Sequence, residues 1–456
     1  MPLFSRDNDH LVKDLDKEEK ATATYSSLRT GILSLTPGDH KCRLYCKGTT
    51  CRFCVVIQNQ PQIQAIDGLY STWITDEILA MSRLQVDHFE KCKIVEKFQL
   101  ANIKSVINLQ ESNEHAYCGK GNLQSSGFSY DPEELMRNGI YHYNFPLPDF
   151  EACSSSRLLD IVKVVDFALS NGKIAVHCHA GHGRTGMVIA AWMMYATGIT
   201  PYQAVTLIRS RRAKAVQSRE QVETLHKFKL LIRNNGGMII RSEKFLTISE
   251  YVTYTQQFLS KPELRLYGKL PKIVYIIMSI VLKKCYEMVV FDLKSNANNE
   301  DYRFFIECSS PRTSNNTLDE QLLNVQLNEE NLEKTKELYG EMVKNGLTVS
   351  TMQRIFEKED FRDLIRLLDL FFHTSFHQLT FRDEFLRIFE DGPNTPNDKL
   401  DWITTFWFLM KCVNAMPIQL HLAFSRLISK WFIRSDTDVP AKLRNWFSSF
   451  QNTCTP

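Results

Sequence analysis

The sequence predicts an α/β domain with a central, mostly parallel sheet flanked by helices, followed by an all-helical C-terminal region. Three observations carry this prediction. Between residues 61 and 240, short β-like runs alternate with segments of helical period. One of those helical segments has the length of a crossover joining two parallel strands. From residue 241 to 456 the alternation stops, and stretches such as "DFRDLIRLLDLFFHT" and "IQLHLAFSRLISKWF" keep a helical pattern.

The elements follow in order. Residues 1–60 form a polar, Lys/Asp-rich segment that ends in the cysteine-containing run "CRLYCKGTTCRFC". The periodic part begins near "AIDGLYSTWITDEILAM", and "IKSVINL", "IYHYNF" and "KIAVH" have the length and composition of strands in a buried sheet. In "RLLDIVKVVDFALSNG" apolar residues fall at 158, 161, 162, 165 and 169, with serines before them and Gly172 after, which marks a helix. "SREQVETLHKFKLLIRN" opens with Ser218 and Gln221 at capping-box spacing, so a second helix starts there. A linker is expected near 294–320, where "KSNANNEDYR" and "CSSPRTSNNTLDE" are rich in Asn and Ser.

Bulk composition narrows the function classes. The 456 residues are 43% hydrophobic and 23% charged, a globular composition, and the formal net charge is only +3. That field gives no reason to expect a nucleic acid or a membrane surface as partner, so any preference for anions must be local. The N-terminus lacks an apolar signal core, and the run from Ile273 to Leu282 is too short to span a bilayer. A soluble cytoplasmic protein without a transmembrane segment is expected, with its 12 cysteines reduced.

The chemistry concentrates in "KIAVHCHAGHGRTGMVIAAW", residues 173–192. A strand ends at His177 and a helix begins near Thr185, so the loop between them lies at the carboxyl end of a strand, beside unpaired N–H groups and the positive end of a helix. Gly181, Gly183 and Gly186 let the backbone curl around an anion, and His179, Ala180, Gly181, His182 and Gly183 line the resulting cradle. Cys178 sits inside it as nucleophile, Arg184 supplies a planar fork for two phosphoryl oxygens, and Thr185 adds a hydroxyl. A thiol with a pKa of about 8.5 is roughly 3% ionised at pH 7, whereas such surroundings lower the pKa to about 3.5–7.5. Cysteine, cradle and arginine together imply a phosphocysteine intermediate.

Displacing an oxygen from phosphate also needs a proton donor. Asp149, in "YNFPLPDF", follows a strand and precedes the crossover helix that leads to Cys178. From spacing alone a turn-forming or helix-capping Asp is equally compatible. Gln217 and Gln221 in "VQSREQ" have amides able to orient a water, or else to cap the helix. The basic run carrying Arg209, Arg211, Arg212, Lys214 and Arg219 either rims the cleft or forms a solvated helix face. Cys42, Cys46, Cys51 and Cys54 have three, four and two intervening residues, of which only the last is knuckle spacing. Solvated thiols are therefore expected over a zinc site, in which His40 would be a substitute ligand.

The signature resembles that of the cysteine-dependent protein tyrosine and dual-specificity phosphatases, in which His-Cys is followed by Arg and then Ser or Thr. Further stretches, "YSSLRTGI", "CRLYCKGTTC", "GLYSTWITDEILAM", "INLQESNEHAYCG" and "GIYHYNF", extend the resemblance over about residues 25–285. It implies the cysteine-phosphatase fold, Asp149 as general acid, and Gln217 and Gln221 as water-positioning residues. It also implies phosphorylated protein substrates, no metal or other cofactor, and centrosomal or ciliary partners engaged through the helical C-terminal region. Two positions depart from the pattern. His182 stands where the family usually has Leu, and either packs the loop or meets solvent, or adds charge beside the cradle below about pH 6.5. Leu147 stands where an aromatic residue usually precedes the acid, and Phe150 is placed to seal the loop. A phosphopeptide-binding scaffold with weak activity and a phosphoinositide phosphatase are the alternatives.

Overall fold

The computed structural model describes residues 21–36, 40, 44–57, 64–149, 152–235, 248–267, 270–286, 289–295, 302–308, 329–345, 361–375 and 400–416, with 424, 427, 428 and 431. The chain divides into two compact units, Met1–Leu231 and Ile232–Pro456.

In the first unit, α1 (Ser27–Leu35) precedes a sheet whose strands are β1 (Ser71–Trp73), β2 (Ile78–Met81), β3 (Ile103–Asn108), β4 (Tyr141–Asn144) and β5 (Lys173–His177). Their order is β1-β2-β5-β3-β4. All neighbours are parallel except the β1 edge, as the alternation of strand-like and helical runs predicts. The three expected strands are present. β1 and β2 carry no legible signal in the sequence, because the fully buried run of β2 shows no alternation to separate it from a helix.

The helices of this unit are α2 (Val86–Cys92), α3 (Ile94–Leu100), α4 (Pro132–Arg137), α5 (Ser155–Leu169), α6 (Gly183–Thr197), α7 (Pro201–Arg211) and α8 (Arg219–Asn235). α5 is the expected crossover. Its N-cap Ser154 accepts from the Arg157 N–H, and its buried stripe includes Leu158, Ile161, Val162 and Val165. Each such side chain contributes about 1.5–3 kcal/mol through burial. α6 packs against α5 and the sheet and is buried nearly all round, so it lacks an amphipathic pattern; Gly198, at φ +77°, ends it in the left-handed conformation. Residues Leu79, Met81, Phe98, Val106, Leu135 and Ala175 belong to the core beneath α3 and α4.

Register fixes where function gathers. His177 of β5 pairs with Met81 of β2 and with Asn108 of β3, while Asn108 pairs with Asn144 of β4. The carboxyl ends of these strands therefore share one edge, and the loops that leave it converge.

The second unit contains α9 (Ile248–Gln256), α10 (Lys261–Tyr267), α11 (Lys272–Cys285), α12 (Glu329–Asn345), α13 (Phe361–Ser375) and α14 (Leu400–Ala415). Tyr251, Ile277, Val281, Leu368, Phe371 and Phe408 help form its core. The expectation of an all-helical region is corrected in one place. β6 (Val289–Ser295) and β7 (Tyr302–Cys308) pair antiparallel, so the start of the expected linker is a hairpin. Both runs, "VVFDLKS" and "YRFFIEC", carry β-branched and aromatic residues on either side of a polar, Asn-rich stretch, a strand signal that the polar composition obscures. Residues 296–301 and 309–320 of that linker lie outside the described residues. Among the described residues no helix is long and apolar enough to cross a membrane.

Candidate active site

The loop after β5 and the first turn of α6 form the cradle expected from the sequence, the helix starting at Gly183 rather than near Thr185. Gly181 has φ +68°, and a Cβ there would lie 2.0 Å from the Met81 carbonyl oxygen, so only glycine fits. Beneath the loop, the buried Arg212 donates to the carbonyls of Gly181 (2.6 Å) and Ala180 (3.0 Å) and to Thr72 Oγ1 (2.9 Å). Drawing these carbonyls toward Arg212 keeps their negative ends out of the cradle.

Cys178 is 4% exposed at the base of the cradle. Burial works against its thiolate, but the Arg184 guanidinium and the neighbouring Thr185 outweigh that, and the thiol is held below its ordinary value. Arg184, 1% exposed, donates to both Glu114 oxygens at 2.6 Å, to the Leu147 carbonyl at 2.8 Å and to Asp149 Oδ1 at 2.8 Å. Asp149 Oδ2 also meets His115 Nε2 at 3.1 Å. Burial favours the neutral acid, yet Arg184 and His115 together hold the Asp149 carboxyl well below the usual carboxylate range.

A cavity of about 380 Å³ opens above Cys178. Its wall brings together Cys178, His179, Ala180, His182, Gly183, Arg184, Asp149, Gln217 and Gln221, nine of the eleven residues expected at the site. Gly181 and Thr185 serve from within the loop. Tyr25, Tyr45 and Phe53 add aromatic faces, and Arg29, Lys47, Arg52 and Lys214 add positive charge. Of the basic run, only Lys214 reaches the cavity. Arg209 holds the Ala215 and Val216 carbonyls, and Arg219 pairs with Glu223 on the helix surface.

The two glutamines differ. Ser218 Oγ accepts from the Gln221 N–H at 3.2 Å and Gln221 Oε1 accepts from the Ser218 N–H at 3.3 Å, the expected capping box. Its Nε2 still faces the cradle, 2.9 Å from where a Cβ on Gly183 would stand. Gln217 lies against the same point, and its Nε2 donates to the Tyr25 hydroxyl at 2.8 Å.

Of the two readings of His182, packing within the loop is the one the structure favours over charge below about pH 6.5, while the expectation of solvated thiols is corrected. His182 is buried between Phe53 and Tyr70, and burial, with Arg212 and Arg52 nearby, pushes its pKa down to about 3. The cysteines of the N-terminal run are not solvated: Cys51 and Cys54 are buried and Cys46 is half-buried, because the segment folds over the cradle rather than into solvent. His40 is exposed, and Cys42 and Phe150 lie outside the described residues.

Sequence reasoning missed Glu114, His115, Arg83 and Tyr25, and did not separate Arg212 from its basic neighbours. Glu114 and His115 come from the loop after β3, whose residues have no spacing relation to Cys178. A buried-loop acid near an arginine is visible only once the strands are in register.

The site and fold are those of a cysteine-dependent phosphatase domain. Residues 88–198 match the family model described as polymorphic toxin system, DSP-PTPase phosphatase, so a domain of the dual-specificity and tyrosine phosphatase class is present. The chain is 38% identical over 266 residues, 58% of its length, to protein tyrosine phosphatase domain-containing protein 1 of Bos taurus, covering 33% of that protein. The Danio rerio protein of the same name is 38% identical over 264 residues, 57% of this chain and 37% of that protein. Tyrosine-protein phosphatase cdc-14 of Caenorhabditis elegans is 34% identical over 119 residues, 25% of this chain and 16% of that protein. The chain thus spans about a third of the length of the first two relatives.

Proposed function

We propose that the protein hydrolyses phosphate monoesters on proteins, phosphotyrosine and also phosphoserine or phosphothreonine, through a phosphocysteine. The observation that carries the reading is Cys178, buried at the foot of the loop that leads into α6 and held below its ordinary thiol value beside Arg184. The Cys178 thiolate attacks phosphorus while the loop N–H groups and Arg184 hold the equatorial oxygens. The ester oxygen departs with a proton from Asp149. Water held by Gln217 and the Nε2 of Gln221 then attacks the phosphocysteine, Asp149 takes its proton, and inorganic phosphate leaves with the thiolate restored.

Asp149 must be protonated to begin this cycle, whereas Arg184 and His115 keep it ionised. A phosphoryl group on Arg184 resolves the conflict, because it competes for the guanidinium and its own negative charge raises the neighbouring carboxyl. The aromatic faces of Tyr25, Tyr45 and Phe53 suit the ring of phosphotyrosine, and the four cations suit acidic flanking residues. Cytoplasmic residence and centrosomal or ciliary partners for the second unit, which the resemblance implies, belong to the same proposal, and imaging of the tagged protein tests them.

One observation favours a second reading, a phosphopeptide-binding protein with weak turnover: the acid is already ionised and paired. The deciding experiment presents a panel of phosphopeptides and phosphoinositides to the purified protein and to Cys178→Ser. Phosphate release and a trapped phosphocysteine, both lost in Cys178→Ser, support the phosphatase. Tight phosphopeptide binding without either supports the second reading, and release confined to phosphoinositides assigns a lipid substrate.

A further inference from the structure

Four thiols from two distant segments meet beside the cradle. Cys46, Cys51 and Cys54 come from the N-terminal run, and Cys118 comes from the loop after β3. Cys51, Cys54 and Cys118 form one buried cluster, and Cys46 packs against it. Cys46, Cys118 and His115 belong to one set of candidate ligand atoms mutually within 4.8 Å, and Cys51 and Cys54 to another, the two sets sharing His179; His115 Nδ1 faces Cys46 at 3.8 Å and Cys118 at 3.7 Å while its Nε2 meets Asp149. At a metal–sulfur distance of about 2.3 Å, tetrahedral sulfurs stand about 3.8 Å apart. None of the four is in a disulfide.

The backbone is built for this approach. The Cys54 N–H bonds to the Cys51 carbonyl at 2.9 Å, the tight turn of a Cys-X-X-Cys knuckle, and the Cys51 N–H bonds to the Gly48 carbonyl at 3.1 Å. The Gly119 N–H crosses to that same Gly48 carbonyl at 3.1 Å. Gly119 has φ +61°, and a Cβ there would lie 2.6 Å from Cys54 Cβ, so the loop after β3 brings its cysteine in on a backbone that admits no side chain.

The outer partners are donors, as thiolates require. Arg83 is fully buried, and its Nε donates to Cys54 Sγ at 3.2 Å. Its other contacts are the carbonyls of Glu114, His115 and Cys118 and the Asn122 side chain, so among the described residues no carboxylate balances it. The ring nitrogens of His179 face Cys46 at 4.0 Å, Cys51 at 3.6 Å and Cys54 at 3.3 Å. An apolar cluster of thiols needs neither of these donors.

We propose that Cys46, Cys51, Cys54 and Cys118 hold a tetrahedral zinc ion that fastens the N-terminal run and the loop after β3 to the phosphate cradle. Four sulfurs in tetrahedral array select zinc over harder cations. The fastening passes through His179, which directly follows the nucleophile: its ring rests on the thiolates and its carbonyl accepts from the Arg83 N–H at 3.0 Å. This zinc is structural, with no open position for water, and the assignment does not depend on whether the cradle turns over phosphate.

The test uses the full chain, purified under reducing conditions without chelator. One zinc per chain by elemental analysis, and an X-ray absorption shell of four sulfurs at about 2.3 Å, are expected. Cobalt added to zinc-depleted protein is expected to give the intense visible bands of a tetrahedral tetrathiolate site. Cys51→Ser and Cys118→Ser are each expected to cost at least about tenfold in zinc affinity, with Cys153→Ser unchanged. The wild-type absorption shell needs no variant and so stands if either serine variant fails to fold. Wild-type protein that neither carries nor takes up zinc, a shell containing nitrogen or iron in place of zinc, a disulfide among the four, or zinc binding unaffected in a folded Cys118→Ser protein overturns the assignment.

Discussion

Arg184 grips Glu114 with both terminal nitrogens, each 2.6 Å from a different carboxylate oxygen. The guanidinium is therefore fixed in its plane before any phosphoryl group arrives, and it also donates to the Leu109 and Leu147 carbonyls and to Asp149. Removing Glu114 strips the buried guanidinium of its two-pronged partner and leaves Asp149 to balance it. Glu114→Ala is expected to lose folding stability, by less than the about 3–5 kcal/mol of a fully unpaired buried charge. Denaturant unfolding of the two proteins measures this, and coincident midpoints would contradict it.

Because Arg184 helps keep the Cys178 thiol below its ordinary value, alkylation should expose that shift. The rate of inactivation by iodoacetamide rises with pH as the thiolate forms, and its midpoint is expected below the ordinary thiol value of about 8.5. In Arg184→Ala the positive charge is gone, so the midpoint moves up. A midpoint that stays in place would separate the arginine from thiolate stabilisation.

Asp149 carries two expectations with opposite pH behaviour. As proton donor its loss hurts turnover, and Asp149→Ala is expected to lower kcat by about 10²- to 10⁴-fold on an alkyl phosphate. As an ion-pair partner its folded pKa is depressed by Arg184 and His115 against the effect of burial. Its stabilising contribution is thus present above the unfolded value of about 3.9 and disappears as pH falls through the folded value. The stability gap between wild type and Asp149→Asn should accordingly narrow on acidification below pH of about 4; a gap that widens there refutes the pairing.

Gly181→Ala places a methyl group against the Met81 carbonyl at a left-handed φ. The backbone must shift, at a cost of about 1–3 kcal/mol. Loss of aryl phosphate hydrolysis with the fold retained by circular dichroism is expected, and full activity would show that the cradle tolerates another path.

His182→Leu is expected to have the same profile of kcat/KM between about pH 5 and 7.5 as the wild type. With a pKa pushed down to about 3 by burial, the imidazole is neutral throughout that range. A difference appearing near pH 6.5 would mean that it titrates where a solvated histidine does.

What was legible in the sequence follows from how local each signal is. Cys178, Arg184 and the glycines lie in one short stretch, and the Ser218 and Gln221 capping box is a three-residue relation, so spacing alone reveals them. Asp149 needed the order of strand, acid and crossover helix. Glu114 and Arg212 were out of reach because their roles depend on strand register and on burial beneath the loop, neither of which residue identity records. His182 stayed open between two readings for a related reason: a histidine beside a cradle is compatible with charge, and only the packing of Phe53 and Tyr70 removes the water that charge requires. The β6–β7 pair was hidden by the Asn-rich sequence between its strands, which reads as a linker.

The bond from Gln217 Nε2 to the Tyr25 hydroxyl, with the Tyr25 N–H on the Gln217 carbonyl at 2.9 Å, ties together residues 192 positions apart. During synthesis Tyr25 emerges about 10–40 s before Gln217 at ordinary elongation rates, and must wait unpaired for it. The sheet can assemble in the meantime, since β5 is complete well before α8 begins. The wall of the cavity that Tyr25 and Gln217 share is thus completed after the sheet that supports it.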